Sequence, residues 1–487
     1  MENSSEYSQL LQVGGLVPRF TDSMGENRNI SFRDPDGKLE LTEDGTVYRH
    51  LTPSGVIRFL QIRALKTVQS LQGSGNWIDC QTHPQEPTRL EHPRIFFPSY
   101  PYEWAQGMLR AAGLFTINVN RLLLSEGWEL KDASPYNILF RGVKPIFVDH
   151  LSPVLRSARQ MGWSAYGQFQ RTFHIPLLLN HRNRIPLPWM LLAHRDGVQP
   201  ETAFPLLSAL GRFHPSVIAP IVMPTLLHRY CRVGPTPSFS LKAGESEEDA
   251  GIVTNRILRG MSRSLNTLAA KSLTSPWSGY DEVLTDKDGH QENLAKENFL
   301  KQVLSEFRPK TMLDLGCNRG KYSRIAALMG STCVSIDSDP ECIERLYQQS
   351  VTENLDILPL QVDLGLPSPA LGWDNTETLS LIERMKGKFD LTLVYALIHH
   401  LLVRERIPLD AVVQFVASTT TGIAIFEWVD PGDFQFKRIA GPSIELYKWM
   451  TPFVFRKALE KYFSIEREST IQGGTRILYL CQRRPRA

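Results

Sequence analysis

The sequence predicts an α/β protein, with a doubly wound sheet in its C-terminal part and an α+β unit before it. Three observations carry this. From about Lys310, short apolar runs alternate with amphipathic segments. A glycine-bearing turn, "LDLGCNRGKYS" (Leu313–Ser323), joins the first apolar run to the first helical pattern. A Pro-, Gly-, Ser- and Glu-rich stretch, "RVGPTPSFSLKAGESEEDAG" (Arg232–Gly251), separates the two halves as a linker would. The expected division is an α+β domain over 1–231, a linker over 232–251, a helical connector over 252–298 and the sheet domain over 299–487.

In chain order, "RDPDGKLELTEDGTVYRHL" (Arg33–Leu51) reads as a hairpin, with Asp36-Gly37 and Asp44-Gly45 as turns. "IVTNRILRGMSRSLNTLAAKSL" has helical periodicity. "KTMLDLG", "TCVSID", "ILPLQVD", "FDLTLVYAL" and "GIAIFEWV" are buried-strand candidates. In "RGKYSRIAALMG", Tyr322, Ile325, Ala326 and Met329 form one helical face; in "DPECIERLYQQS", Ile343, Leu346 and Tyr347 do the same. Asp339 is placed to cap that second helix, and Pro340 suits its first position. "YFSIEREST" and "TRILYLCQRR", joined by "IQGG", read as two final strands.

The 487 residues exceed one ordinary domain. With 54 basic and 51 acidic residues and a net charge of +3, the chain is not that of a protein that wraps nucleic acid, and no nucleic-acid partner is expected. None of the six cysteines forms a CxxC pair or stands at zinc spacing, so no metal is expected and the thiols read as reduced cytoplasmic cysteines. "MENSSEYSQLLQVGG" is too acidic and polar for a signal peptide. The most apolar run, "SVIAPIVMPTLLHRY" (Ser216–Tyr230), is short and broken by Pro220 and Pro224. It cannot span a bilayer as a plain helix and is expected to pack in a core or between domains, with an interfacial role as the alternative. Nothing in the sequence fixes an oligomeric state.

The turn decides which ligand the sheet binds. A dinucleotide needs G-x-G-x-x-G and a Walker loop ends in Gly-Lys-Ser/Thr. Here Gly316 and Gly320 are spaced G-x-x-x-G, and Gly320-Lys321 is followed by Tyr322. Asp314, at the end of the first strand, would repel a phosphate but attract an ammonium group. S-adenosylmethionine carries an α-ammonium and a sulfonium and no phosphate. Asp337 ends the second strand, where a carboxylate can accept both ribose hydroxyls. Asp363 ends the third, where it can accept from an adenine amino group, with the backbone N–H of Leu364 beside it.

This ordered series resembles the class I S-adenosylmethionine-dependent methyltransferases over Phe299–Arg483. The resemblance implies a Rossmann-like domain with a final antiparallel strand, S-adenosyl-L-methionine as cofactor, and a site of Asp314, Gly316, Asn318, Gly320, Asp337, Asp363, Leu364 and Tyr395. The acceptor side should open where the fourth and fifth strands end. "LVYALIHHLLV" lacks the Asp/Asn-Pro-Pro-Tyr signature of enzymes that methylate base amino groups, which points to a small-molecule acceptor such as a sugar or secondary metabolite. His399 and His400 are candidates for a catalytic base. Glu427, after the fifth strand, is a candidate to bind the acceptor or a loop backbone. Asp430 and Asp433 read as turn residues. Trp277 and Tyr280 in "SPWSGYDEV" are candidates to close over the cofactor.

The first half carries a second resemblance. Asp132 and Asn137 in "LKDASPYNILF" have the spacing D-x-x-x-x-N, and Asp149 follows a strand–turn–strand pattern. This is similar to the C-terminal lobe of protein-kinase-like folds, where such residues act as base and magnesium ligands. The departures are Leu130 at the histidine position of the catalytic loop, no glycine-rich phosphate loop and no counterpart of the ATP-binding lysine. A degenerate, substrate-binding or scaffolding domain is therefore expected. The alternatives are a phosphotransferase using Asp132, Asn137 and Asp149, or a non-catalytic protein that senses S-adenosylmethionine. Taken together, "FRDPDG", "FFPSYPYEWAQGML", "LKDASPYNILF", "LDLGCNRGKYS" and "IHHL" resemble a bacterial two-part methyltransferase group, the nodulation proteins of the NoeA kind.

Overall fold

A computed structural model describes residues 28–230, 244–269 and 287–485, apart from 32, 43, 245, 472 and 473. Trp277, Tyr280 and most of the expected linker lie outside the described residues.

The first half opens with an antiparallel sheet of β1 (Arg28–Ser31), β2 (Gly37–Leu41), β3 (Val47–Leu51), β4 (Gln81–Thr82) and β5 (Arg89–His92), in the order β1-β2-β3-β5-β4. The expected hairpin is the β2–β3 pair, with Gly37 opposite Leu51 and Leu41 opposite Val47. A long helix, Gln106–Leu124, follows. Two short ladders come next: β6 (Trp128–Leu130) pairs with β9 (Pro153–Leu155), and β7 (Ile138–Arg141) pairs with β8 (Lys144–Phe147). Short helices fill the chain to Tyr230.

The second half is the expected doubly wound sheet. Its strands are β10 (Thr311–Leu315), β11 (Thr332–Asp337), β12 (Ile357–Gln361), β13 (Phe389–Val394), β14 (Thr420–Val429), β15 (Phe463–Thr470) and β16 (Arg476–Arg483). They lie in the order β12-β11-β10-β13-β14-β16-β15. The first five are parallel, and β16 runs antiparallel between β14 and β15. This is a Rossmann-like α/β order closed by an antiparallel strand, as expected. Strands such as β13 are buried along nearly their whole length because helices cover both faces of the sheet. The Pro340–Glu353 helix starts where expected: the Asp339 carboxylate accepts from the N–H groups of Glu341 (2.9 Å) and Cys342 (3.2 Å), and Ile343, Leu346 and Tyr347 are buried. The chain order reverses between β10 and β13, so a crevice opens at the carboxyl ends of these strands.

Three features differ from expectation. One helix, Lys287–Phe307, runs through the boundary drawn at 298/299. Its polar first turns hide a stripe that becomes apolar only at Phe299, Leu300, Val303 and Leu304. The apolar core is continuous across both halves and joins Phe97, Trp104 and Met108 to Leu360 and Phe389. The apolar run at Ser216–Tyr230 buries Val217 and Ile221 but leaves Met223, Leu226, Leu227 and Tyr230 exposed. Helical periodicity sets which residues share a face, not what that face meets. Among the described residues no helix is long and apolar enough to cross a membrane.

The halves meet along "FFPSYPYEWAQGML". The backbone of Trp104 bridges to Leu360 at the open edge of β12. Glu103 and Arg384, both almost fully buried, form an ion pair across the seam. Arg384 also donates to the Pro98 carbonyl (2.8 Å) and lies 4.7 Å from the centre of the Tyr100 ring. An Arg384→Lys protein keeps the charge but loses the planar fork that makes these contacts together. It should be less stable by about 1.5–3 kcal/mol, the range for a lost hydrogen bond to a charged group, as read from the midpoint of urea unfolding.

Candidate cofactor and acceptor cleft

The turn after β10 is built from left-handed backbone. Gly316, Asn318 and Gly320 have φ of +73°, +49° and +72°. Glycine suits the first and last for steric reasons as well, since a Cβ on Gly320 would lie 2.3 Å from the Leu346 side chain. The turn is pinned to the neighbouring strand: the N–H groups of Gly316 and Cys317 both donate to the Ile336 carbonyl (2.9 and 3.0 Å).

Asp314 lies buried beneath this turn and accepts from the Ser323 hydroxyl (2.5 Å). Burial pushes its carboxyl up to about 7; the Ser323 bond offsets part of this, and Asp337 adds to it. Asp337 accepts through one oxygen from the Asn318 N–H (2.8 Å) and through the other from the Asp339 N–H (2.9 Å). It therefore couples the turn to the next helix and still has lone pairs for a ligand. Asp363 is more exposed; its carboxylate accepts from the Gly365 N–H (2.8 Å), which fixes the loop that carries Leu364. Seven of the eight residues expected at the cofactor line one cleft of about 990 Å³; Gly320 shapes the turn but is not part of the lining. The donor set fits S-adenosylmethionine. Three carboxylates at successive strand ends suit an ammonium, hydroxyls and an amino group, and they disfavour a phosphate beside them.

Tyr395 closes the inner wall. Its hydroxyl donates to the Lys296 carbonyl (3.3 Å), and its ring meets Tyr322 edge-on, with centres 4.9 Å apart. The base candidates separate. His400 lines the cleft; burial first, then Arg404 and Arg438, lower its pKa to about 4, so it is neutral at ordinary pH. His399 is buried behind it, stacked on Phe436, with its Nδ1 unpartnered. Burial holds His399 well below the usual imidazole range. His399 is thus a packing residue, placed there because the helix from Ile398 to Val403 turns it inward.

Glu427 is not among the residues that line the cleft. Its Oε2 accepts from the Ala396 N–H (2.8 Å), where the backbone has φ +47°. Its Oε1 meets Lys296 Nζ (2.8 Å) and Arg476 Nη1 (2.8 Å). Glu292 contacts both cations, at 2.6 and 3.0 Å. Burial would raise the Glu427 pKa, but Lys296 and Arg476 outweigh it and keep the group ionised. Asp433 caps the helix from Phe434 and also takes the Arg476 guanidinium (3.2 Å). Sequence reasoning missed Lys296 and Arg476. The i, i+4 pair Glu292/Lys296 was visible, but nothing local marks Arg476.

The outer wall comes from the first half. Tyr102, Glu103 and Gln106 line the cleft, as do Arg184, Trp189 and Leu192, with Trp189 at its exposed rim. Sequence reasoning named none of these. Trp189 is 73% exposed.

The structure brings the kinase-like residues together. Asp132 accepts from the Asn137 amide (2.7 Å) and the Ser152 hydroxyl (2.6 Å). Burial and then Asp149 push its pKa up to about 6. Asp149 faces the Arg49 guanidinium (3.4 Å), a cation where a kinase would hold magnesium. Nearby, Cys80, His92 and His150 converge although no sequence spacing links them. Trp77 donates its indole N–H to His150 Nδ1 (3.1 Å). That leaves the ring proton on Nε2, so this ring offers no lone pair to a cation.

No family model matches the chain. It is similar to nodulation protein NoeA of Rhizobium meliloti (strain 1021), with 28% identity over 470 residues, 93% of this chain and 95% of that one. Among solved structures it is similar to the N-methyltransferase NodS from Bradyrhizobium japonicum WM9 in complex with S-adenosyl-L-homocysteine: 15% identity, 43% of this chain, 100% of that chain, TM-score 0.30. Magnesium protoporphyrin IX methyltransferase from Synechocystis PCC 6803 gives 15% identity, 46% of this chain, 95% of that chain and a TM-score of 0.29.

Proposed function

We propose that this chain is a cytoplasmic S-adenosylmethionine-dependent methyltransferase acting on a small-molecule acceptor, a sugar or secondary metabolite, held between its two halves. One observation carries the reading: Asp314, Asp337 and Asp363 stand at the ends of three adjacent strands around a single cleft. When bound, the cofactor supplies an electrophilic methyl group on a sulfonium. Asp314 holds the ammonium, Asp337 the ribose hydroxyls and Asp363 the adenine amino group, with the Leu364 N–H beside it. Glu427 fixes the Ala396 backbone beside Tyr395 and so shapes the wall at which acceptor and methyl group meet. His400 is neutral and at the cleft, and accepts a proton from the acceptor where the acceptor must lose one. The remaining catalysis is alignment in a closed cleft.

The first half is read as a degenerate kinase-like unit that serves as the acceptor wall. Pairing of Asp149 with Arg49 supports this over a working phosphotransferase. The test is calorimetry with S-adenosylhomocysteine. Asp337→Ala should weaken binding about 10- to 100-fold, the effect of losing hydrogen bonds to a charged acceptor. Unchanged affinity in a folded variant would refute the assignment.

A further inference from the structure

The Met223–Tyr230 helix is inside out. Met223, Leu226, Leu227 and Tyr230 fall at i, i+3, i+4 and i+7, the spacing of one helical face. All four are exposed, Tyr230 at 81%, whereas the small polar Thr225 is fully buried. The apolar stripe that would normally seat this helix is turned to solvent. It has company: Leu210 is 86% and Phe213 79% exposed, and Trp189, at the cleft mouth, adds another large apolar side chain.

These residues belong to one surface. Arg212 and Arg229 both lie over the Phe204 ring, at 4.3 and 5.2 Å, which joins the segment around Phe213 to the Met223–Tyr230 helix. The Asn183 amide donates to the Leu206 carbonyl (2.8 Å), which joins that segment to Arg184 and the cleft mouth. The charge is one-sided. Between positions 181 and 230 the chain has five arginines and four histidines against two acids, Asp196 and Glu201. Arg195 is drawn away to Glu377 of the other half (2.7 Å).

We propose that this face docks on an anionic lipid surface and turns the mouth of the cleft towards it. An exposed apolar stripe with Trp, Phe and Tyr among arginines is the composition that lies in a bilayer interface without crossing it. Basic complementarity selects a lipid headgroup layer over a second copy of the chain, whose matching face would bring arginine against arginine. Resting on the methyltransferase reading, the acceptor is then an amphiphile presented from that surface. Docking itself does not depend on that reading.

The test is flotation of the full chain with phosphatidylcholine vesicles, with and without phosphatidylglycerol. The chain should float with the anionic vesicles and be released by high salt. Arg212→Ala and Arg229→Ala should each lower partitioning about fivefold, the equivalent of one basic residue at the surface. The triple variant Leu210→Glu/Phe213→Glu/Leu227→Glu should stay in the aqueous fraction while binding S-adenosylhomocysteine as the parent does, which shows that it is folded. The proposal is overturned if the parent fails to float with either vesicle. It is equally overturned if the triple variant floats as well as the parent, or if the parent instead forms a concentration-dependent dimer that the triple variant abolishes.

Discussion

The Glu427→Ala protein is expected to unfold with about 3–5 kcal/mol less stability than the parent, the range for removing one partner of a buried ion pair. The carboxylate is nearly inaccessible and lies between Lys296 and Arg476, themselves buried. Its loss takes the shared carboxylate from two buried cations, which keep Glu292 and Asp433 among their partners. It also strips the acceptor from the Ala396 N–H in a left-handed backbone at the cleft. Urea unfolding followed by circular dichroism gives the stability, and calorimetry gives cofactor affinity. A second substitution, Lys296→Met, should return part of the loss in the double variant, because it removes one of the stranded charges. If Glu427 were instead an acceptor base, Glu427→Ala would abolish turnover and leave the unfolding midpoint in place. That outcome would overturn its assignment to the scaffold.

Cofactor affinity should rise with pH by up to tenfold per unit and level off near pH 7. The cause is Asp314, whose carboxyl burial raises to about 7 in the free protein. A bound ammonium favours the ionised form and lowers that value, so below pH 7 binding must expel a proton. Above pH 7 the carboxylate is already ionised and no proton is released. At still higher pH the affinity falls again as the ligand's α-ammonium loses its charge. The same group acts on stability with the opposite sign. An acid whose folded pKa is raised favours the fold while protonated, and that contribution fades as pH rises from its ordinary value of 3.8 towards 7. Calorimetry with S-adenosylhomocysteine in two buffers of different ionisation enthalpy counts the protons. The expectation is near one released at pH 5.5–6 and near none at pH 7.5. Asp314→Asn should remove the acid limb and keep the alkaline one. A flat acid limb in the parent would mean that Asp314 does not meet the ammonium.

What was legible in the sequence was local. The strands β10 to β14 are largely apolar runs of the right length, and the three carboxylates stand at or just past the ends of the first three, so the sheet and the grouping of those acids could be read from neighbours in the chain. The acid at 103 could not be. Its meaning depends on Arg384, 281 residues away, and a glutamate in "YPYEW" looks like any surface acid until that partner is known. Glu427 shows the same limit, since a buried carboxylate and a catalytic one have the same sequence signature. His399 and His400 are adjacent in sequence, yet the rotation of about 100° between neighbouring helical residues separates a core ring from a cleft ring. At Met223–Tyr230 the period was readable and its direction was not, because amphipathicity fixes a face but not the medium it faces.

The seam at Trp104 and Leu360 has a bearing on how this protein can be handled. The outermost parallel strand does not end in free backbone groups there; it is met by the chain of the first half. A fragment beginning at the Lys287–Phe307 helix would carry an unpaired strand border, a stranded Arg384 and the bared flank of Phe389. Such a piece should self-associate rather than serve as a minimal catalytic module. The two halves are in that sense inherited as one object: neither can be exchanged for a relative's without also exchanging the surface that completes it.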